Sequence, residues 1–285
     1  MGGVARNHAD ALARLGCDSI FLSAVGKDSN AEFFRKECQH FDISRVQRID
    51  GAPTCTYLSM NIDGNIKYGV TTCEPLLKKV QTDLIEKNED VIRNADYVLI
   101  DSNLPTNVIA KALETCQKFR KQVWFEPTDI KKVRKIFETG RSDVIHAASP
   151  NANEFLEWAK FCGVTVAPNT LKTPENVLYF VEQQHRRLFM PRLQILVVSL
   201  AHKGTAVIYR DDNNKLHFKS LPPAIDPNEV VSASGAGDCF NSGLIAGLVQ
   251  GKSFEASLEI AQKCANYTLQ STLAVSDKIT NYIID

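Results

Sequence analysis

The sequence predicts an α/β protein in which helices cover both faces of a parallel sheet. From about residue 95, short apolar runs alternate with segments of helical periodicity, the rhythm of strand and crossover helix. The runs are apolar at consecutive positions, as in strands buried on both sides. A chain of 285 residues is also long enough to bury such a core.

Taken in order, Gly2 and Gly3 open a helix with Ala9, Leu12, Ala13 and Leu15 on one face and Gly16 as its stop. Residues 44–72 break the rhythm: Thr56, Leu58, Met60 and Ile62 alternate with their neighbours up to Asp63-Gly64, and Ile66 to Val70 follow, which reads as a hairpin of half-exposed strands. Such an excursion suits a lid, a flap through which two copies form a homodimer, or an edge of the main sheet. Buried strands follow at Tyr97–Ile100, Val123–Phe125, Val144–Ala147 and Ile195–Val198. Helices lie between them: Pro105 to Phe119 carries Val108, Ala112, Leu113 and Cys116 at helical spacing, and Thr173-Pro174-Glu175 is a cap with proline at the first helical position. No repeat or low-complexity linker divides the chain, so residues 1–285 read as one domain with 44–72 as a β-lid insertion.

Charge excludes some partners. With 33 basic and 33 acidic residues no net field draws the chain to a nucleic acid polymer or a membrane, so an anionic ligand must be held locally. Hydrophobic residues at 44% with 23% charged are ordinary globular values, and no apolar run approaches the roughly 18 residues of a membrane span. The first residues lack a secretory or transit pattern, giving a cytoplasmic expectation. Eight scattered cysteines form no C-x-x-C pair and six histidines no H-E-x-x-H, so most cysteines read as small core residues.

The strongest local signal is Val231 to Phe240, where Gly235-Ala236-Gly237-Asp238 feeds an apolar helix. Small residues there bare backbone N–H groups at a helix N-terminus, which favours an anion. Asp238 in the first turn can accept a hydroxyl proton beside a bound phosphate, or it can simply answer the helix dipole. Two imitations fall away. Ala246 to Ser253 has alanine where a phosphate-binding loop has its first glycine and continues a helix, so it reads as a helix end; Phe240 replaces the third glycine of a dinucleotide fingerprint. Asn7 either contacts a polyhydroxyl ligand or caps its own helix. Asn151 and Glu154, three apart after a strand, either hold Mg²⁺ through water or form a capping box.

In this order, the motifs resemble the ribokinase-like (PfkB) carbohydrate kinases over nearly the whole chain. One signature of that family, G-G-x-x-x-N-x-A-x-x-L-A-x-L-G, is matched from Gly2 to Gly16; the end of the other, D-T-x-G-A-G-D, is matched at Gly235 to Asp238. The intermediate N-x-x-E matches Asn151 to Glu154, and Val198 to Gly204 resembles the nucleotide-side strand and turn. Three looser segments, Thr56 to Ser59, Ile100 to Leu104, and Phe125 to Thr128 with Lys131 or Lys132 beyond, look like those of the family's pseudouridine kinases.

The resemblance implies a three-layer α/β/α ribokinase-like sandwich with a small β lid, ATP as phosphoryl donor, Mg²⁺, and a small-molecule sugar or nucleoside as acceptor, the ribose 5′-hydroxyl in a nucleoside. By position it makes Asp238 the base, with Gly235, Ala236 and Gly237 stabilising the transferring phosphoryl group. Gly2, Gly3, Asn7 and Thr56 would face the acceptor, with Asp101 at a strand's carboxyl end as a further contact. Ser199, Lys203, Gly204, Gly235, Gly237, Cys264 and Thr268 would line the nucleotide, and Asn151 and Glu154 the metal. Two departures stand out. Family members normally begin with a strand ending in an aspartate ahead of the Gly-Gly element, which suggests a shortened form, or a fragment of a longer bifunctional chain, that binds ligands without turnover. Ser232-Ala233-Ser234 replaces the family's aspartate and threonines, leaving a monovalent-cation site open.

Overall fold

The computed structural model describes residues 2–62 and 65–284, and its backbone divides into two compact units, Met1–Leu84 with Ala224–Asp285, and Ile85–Pro223. The first unit begins with α1 (Val4–Arg14), entered through Gly3 at φ 110° and closed by Gly16 at φ 81°. It continues through β1 (Ala24–Val25), α2 (Ser29–Glu37), β2 (Gln47–Arg48), β3 (Tyr57–Ile62), β4 (Asn65–Thr71) and α3 (Glu74–Leu77), and α4 (Asp83–Glu86) crosses its boundary. Asp28 caps α2 by accepting from the Ala31 N–H and also holds the N–H and hydroxyl of Thr54 at 2.7 and 2.6 Å. Those bonds keep its carboxyl below the ordinary range, the Thr54 hydroxyl contributing most.

β1 and β2 pair in parallel, while β3 and β4 form an antiparallel two-stranded sheet of their own. The hairpin is therefore present and is not an edge of the main sheet; its expected Asp63-Gly64 turn lies outside the described residues. It is more exposed than its alternation suggests. Leu58 pairs with Val70 and Met60 with Tyr68 on one face, and all four are 57–77% exposed.

In the second unit α5 (Glu89–Asn94), β5 (Tyr97–Asp101), α6 (Thr106–Lys118), β6 (Gln122–Glu126), α7 (Arg134–Glu138), β7 (Ala147–Ala148), α8 (Ala152–Phe161), α9 (Pro174–Leu188), β8 (Ile195–Ser199), β9 (Thr205–Arg210) and β10 (Leu216–Leu221) follow one another. The sheet runs β10-β9-β8-β7-β6-β5. It is mixed: β5 to β8 are parallel, as the apolar runs predict, and β9 and β10 add antiparallel strands. Val123, Trp124 and Phe125 are fully buried on consecutive positions. Trp158 of α8 packs on Phe125 and on the edge of Phe137, which stacks on Phe161 at 4.9 Å. Trp158→Ala would therefore cost about 3–5 kcal/mol. Thr173 caps α9 as expected, its hydroxyl accepting from the Asn176 N–H.

One strand differs from its expectation. Val144 belongs to a 3₁₀ turn, Ser142–Val144, and the ladder starts only at His146, whose N–H bonds the Val123 carbonyl. Val144 and Ile145 are buried all the same, so the core selects apolar residues there whatever the backbone does. The first unit resumes with α10 (Ala236–Val249) and α11 (Phe254–Leu269). Gly243 and Gly247 let these helices approach: a Cβ on Gly243 would stand 2.8 Å from the Ala261 Cα, and one on Gly247 2.9 Å from the Ser257 Cα. Ala11 and Leu15 of α1 close a core with Cys239, Ala246, Ile260, Cys264, Val275 and Ile279.

His146 makes part of this stability depend on pH. Its Nδ1 accepts the Val123 N–H at 3.1 Å, and burial, helped by Arg192, pushes its pKa from 6.5 to about 4. Between those values the unfolded chain binds the extra proton, so this contribution is complete above pH 6.5 and is lost as pH falls toward 4. Thermal unfolding should show a loss of about 1–3 kcal/mol over that window. In His146→Leu the overall stability should be lower and this acid-side slope flatter; an unchanged slope would remove His146 as its source.

Candidate active site

In the first unit the site begins where α10 begins. Gly235 holds φ 81° as the residue before the helix, and a Cβ there would run into the Ala274 carbonyl, so the turn requires glycine for backbone reasons. Gly237 is different. A Cβ on it would meet nothing within 4 Å, so the fold itself does not demand a glycine in this first turn, whose N–H groups lack helical acceptors. Asp238 follows, with its side chain only 17% exposed.

The Asp238 carboxylate is held from α1. Asn7 donates from Nδ2 to Asp238 Oδ2 at 2.5 Å across 231 residues of sequence. Asn7 is buried and lies inside α1, whose cap is Gly3, so it does not cap its own helix. Its amide oxygen accepts from Arg6, which also donates to Asp10 at 2.6 Å; Asp10 in turn receives Arg14 and His40, each at 2.6 Å. His8 is 1% exposed, with Nδ1 2.8 Å from the Ser242 hydroxyl and Nε2 3.9 Å from Asp238 Oδ1. Gly2 and Gly3 are exposed at the start of the same helix. A carboxylate thus sits in the first turn of a glycine-opened helix, restrained by an amide and close to an imidazole, an arrangement suited to receiving a proton beside an anion.

The other first-unit residues fall apart from this group. Thr56 is exposed and its hydroxyl bonds that of Thr72 at 2.8 Å. Cys264 and Thr268 are fully buried, Cys264 packing against Gly243 with its thiol pushed up to about 12 by burial. Neither side chain reaches a surface where it could line a ligand. Gly251, at φ 74° after α10, and Ser253, which caps α11 through the Ala256 N–H, are the helix end and start expected of that segment.

In the second unit the expected residues gather at the carboxyl ends of the parallel strands. Asp101 ends β5, its two oxygens accepting from the Asn103 N–H and Nδ2 at 2.9 Å each. After β7, Asn151 and Glu154 form a complete capping box for α8: Asn151 Oδ1 accepts the Asn153 and Glu154 N–H groups, and Glu154 Oε2 accepts the Asn151 N–H. Ser199 ends β8 with its N–H on the Pro150 carbonyl. The turn that follows closes through Leu200 N–H to the Gly204 carbonyl, with Gly204 at φ 102° where a Cβ would meet the Leu221 carbonyl. Lys203 is exposed and donates to the Leu171 carbonyl at 3.3 Å. Among the described residues no three His, Cys, Asp or Glu side chains cluster as a metal cage.

Known proteins resemble this chain over nearly its whole length. The family model described as pfkB family carbohydrate kinase matches residues 1–281. The chain belongs to this family. Among its relatives, pseudouridine kinase of Arabidopsis thaliana is 22% identical, over 95% of this chain and 82% of that protein. Pseudouridine kinase of Escherichia coli is 26% identical, over 98% and 81%. The solved Arabidopsis thaliana ribokinase, complexed with ribose and ATP, superposes with a TM-score of 0.76 at 21% identity, over 99% of this chain and 86% of that one. The fold is thus that of the ribokinase-like pfkB kinases, an α/β/α sandwich.

Within this pfkB fold the structure adds residues that the motifs did not single out. Arg6, His8 and Asp10 are all buried on α1. The spacing Arg6, Asp10, Arg14 reads as a solvated row of ion pairs; only the burial of this face turns it into an internal array. Glu126, at the end of β6, is 6% exposed and accepts from the Ser149 hydroxyl at 2.6 Å, while Ser149 accepts the Trp124 indole N–H. Lys135 donates to the Ser102 and Leu104 carbonyls at 2.9 and 2.8 Å, and burial, then its neighbour Lys132, lowers its pKa.

The two glycines separate structure from chemistry. Gly235→Ala should destabilise by about 1–3 kcal/mol, from the left-handed backbone and the blocked carbonyl. Gly237→Ala should leave the melting temperature within a few degrees of the parent, since a Cβ there meets nothing within 4 Å; were the first turn to hold the transferred phosphate, the same change should lower phosphate transfer by about tenfold or more. Melting curves and initial rates on both proteins check this; a Gly237→Ala enzyme with parental rates would remove that turn from the reaction.

Proposed function

We propose that this pfkB-family chain transfers the γ-phosphoryl group of ATP to the 5′-hydroxyl of a nucleoside, with pseudouridine as the acceptor. The observation that carries the chemistry is Asp238, held by Asn7 in the first turn of α10. As the acceptor oxygen bonds to the γ-phosphorus and the bond to the bridging β–γ oxygen breaks, the hydroxyl proton passes to the Asp238 carboxylate and ADP departs. The backbone N–H groups of Gly235, Ala236 and Gly237, where α10 starts, would answer the charge on the transferring group. By the family's pattern Gly2 and Gly3, at the start of α1, would face the acceptor, and Ser199, Lys203 and Gly204 of the second unit the nucleotide. The acceptor assignment is supported by the two pseudouridine kinases among the relatives and by the segments around Thr56, Asp101 and Glu126.

Mg²⁺ fits the donor set near α8. Glu154, 5% exposed with one oxygen fixed by the Asn151 N–H, would offer it a hard carboxylate oxygen, and Mg²⁺ in nucleotide sites keeps several waters and needs only one or two carboxylates. Bound there, it would neutralise phosphate charge. The apolar face of the β3–β4 hairpin, Leu58, Met60, Tyr68 and Val70, is of the kind that marks an association surface; we assign it to a homodimer, which Leu58→Ser with Val70→Ser should convert to monomer in sedimentation.

The substrate reading is tested by kcat/KM for pseudouridine, uridine, adenosine and ribose with ATP and Mg²⁺, the product identified by mass spectrometry. Pseudouridine should rank first. The second reading, another nucleoside or sugar kinase, is favoured by the low identity to the pseudouridine kinases and by a ribokinase and a guanosine-inosine kinase at 23% and 20% identity; a different leading acceptor would establish it. Asp238→Asn should lower kcat by about 10²–10⁴-fold with ATP affinity largely retained. Thermal stabilisation by ATP and nucleoside without any product would identify a binding form.

A further inference from the structure

The hydrogen bonds of Ser242 fix the tautomer of a buried histidine that points at Asp238. The Ser242 hydroxyl lies 2.8 Å from the backbone carbonyl of Asp238, one turn earlier in α10. A carbonyl only accepts, so the single hydroxyl proton of Ser242 is used there. The 2.8 Å contact between His8 Nδ1 and the same oxygen must then be an Nδ1–H donating to Ser242. In a neutral imidazole that leaves Nε2 without a proton, and Nε2 is the atom 3.9 Å from Asp238 Oδ1. The other carboxylate oxygen is engaged by Asn7.

The charged surroundings favour an exchange between these two groups. From α10, the Asp238 carboxylate approaches the His8 ring to 3.9 Å. On α1 itself Arg6 and Asp10 pair with each other, and Asp10 is further occupied by Arg14 and by His40 from the segment after α2. The nearby thiols of Cys38 and Cys239 are pushed up by burial, Cys38 to about 11, and so carry no charge at neutral pH.

We propose that His8 is a positioning residue that governs Asp238: neutral and locked by Ser242, it leaves the carboxylate able to accept a proton, and once protonated at Nε2 it pairs with Asp238 and withholds it. This rests on Asp238 being the base. The proton added is a solvent proton, so acid should switch the enzyme off through His8 before Asp238 itself is protonated. By linkage, the Asp238 carboxylate must in turn favour the imidazolium.

The test has one arm that needs no turnover. Nitrogen-15 spectra of the full chain should show His8 as the Nδ1–H tautomer near neutral pH, and Asp238→Asn should move its titration to lower pH by about one unit or more. An Nε2–H tautomer, or a titration unmoved by Asp238→Asn, would overturn the proposal. In the activity arm, His8→Gln should carry the acid limb of kcat to lower pH, and a limb in its original place would equally overturn it. Should His8→Gln fail to fold, Ser242→Ala keeps the imidazole and removes the lock; it should yield mixed tautomers, and a ring still wholly Nδ1–H would refute Ser242 as the lock. Full turnover in Asp238→Asn would instead overturn the base assignment, an outcome separable from the spectra.

Discussion

The hydrogen bond from Asn7 to Asp238 couples the start of the first helix to the start of the tenth, and much of the first unit is arranged so that it can form. A short bond between an amide and a carboxylate is worth little if either group swings freely in water. Here both are restrained. Asn7 is clamped on its other side by Arg6, Arg6 by Asp10, and Asp10 by Arg14 and His40. The array buries charge, which is costly unless every partner is satisfied. The consequence is that truncating one member strands the next, so the carboxylate of Asp238 is held by a row of residues reaching well beyond its own helix.

Glycine makes the approach possible from the opposite side. Gly243 and Gly247 let α10 lie close on α11, and Gly235 tucks the helix start beneath the Ala274 carbonyl. Those three glycines answer backbone contacts. Gly237 has open space instead, so no contact within the fold requires its glycine. The same residue type in one short motif is therefore required by the fold at one position and not at the other, which the string Gly235-Ala236-Gly237-Asp238 by itself does not distinguish.

Local patterns made most of the fold legible in the sequence. Helix α6 and strands β5, β6 and β8 lie within a residue or so of where the apolar pattern sets them, although Tyr97 to Leu99 of the edge strand β5 are half-buried and not buried as expected, and the caps at Thr173 and Asn151 follow from side-chain chemistry. The Val144 to Ala147 segment failed because burial and strand geometry are separate demands. Asp238 and Asn7 in the first unit, and the Asn151–Glu154 pair in the second, were visible as motif residues. Arg6, His8 and Asp10 were not, since at helical spacing a buried polar array and a solvated ion-pair row are written in the same letters. Cys264 and Thr268 show the reverse limit: residues named on α11 for a ligand face the core instead.

In the second unit the strand ends carry a further signal. Its parallel strands are apolar until their last residue, then polar: Tyr97 to Ile100 ends in Asp101, Val123 to Phe125 in Glu126, Ala147-Ala148 runs into Ser149, and Ile195 to Val198 ends in Ser199. A strand buried on both faces tolerates a carboxylate or hydroxyl only where the ladder ends and the backbone opens toward the ligand crevice of such sheets. Glu126 obeys this rule as fully as Asp101 and Ser199, and it is tied by Ser149 into a chain that begins at the Trp124 indole. The change from apolar to polar at the carboxyl end of each parallel strand is therefore independent of any family motif. Applied strand by strand, it leads from the hydrophobic pattern that builds the sheet to the groups that the sheet presents.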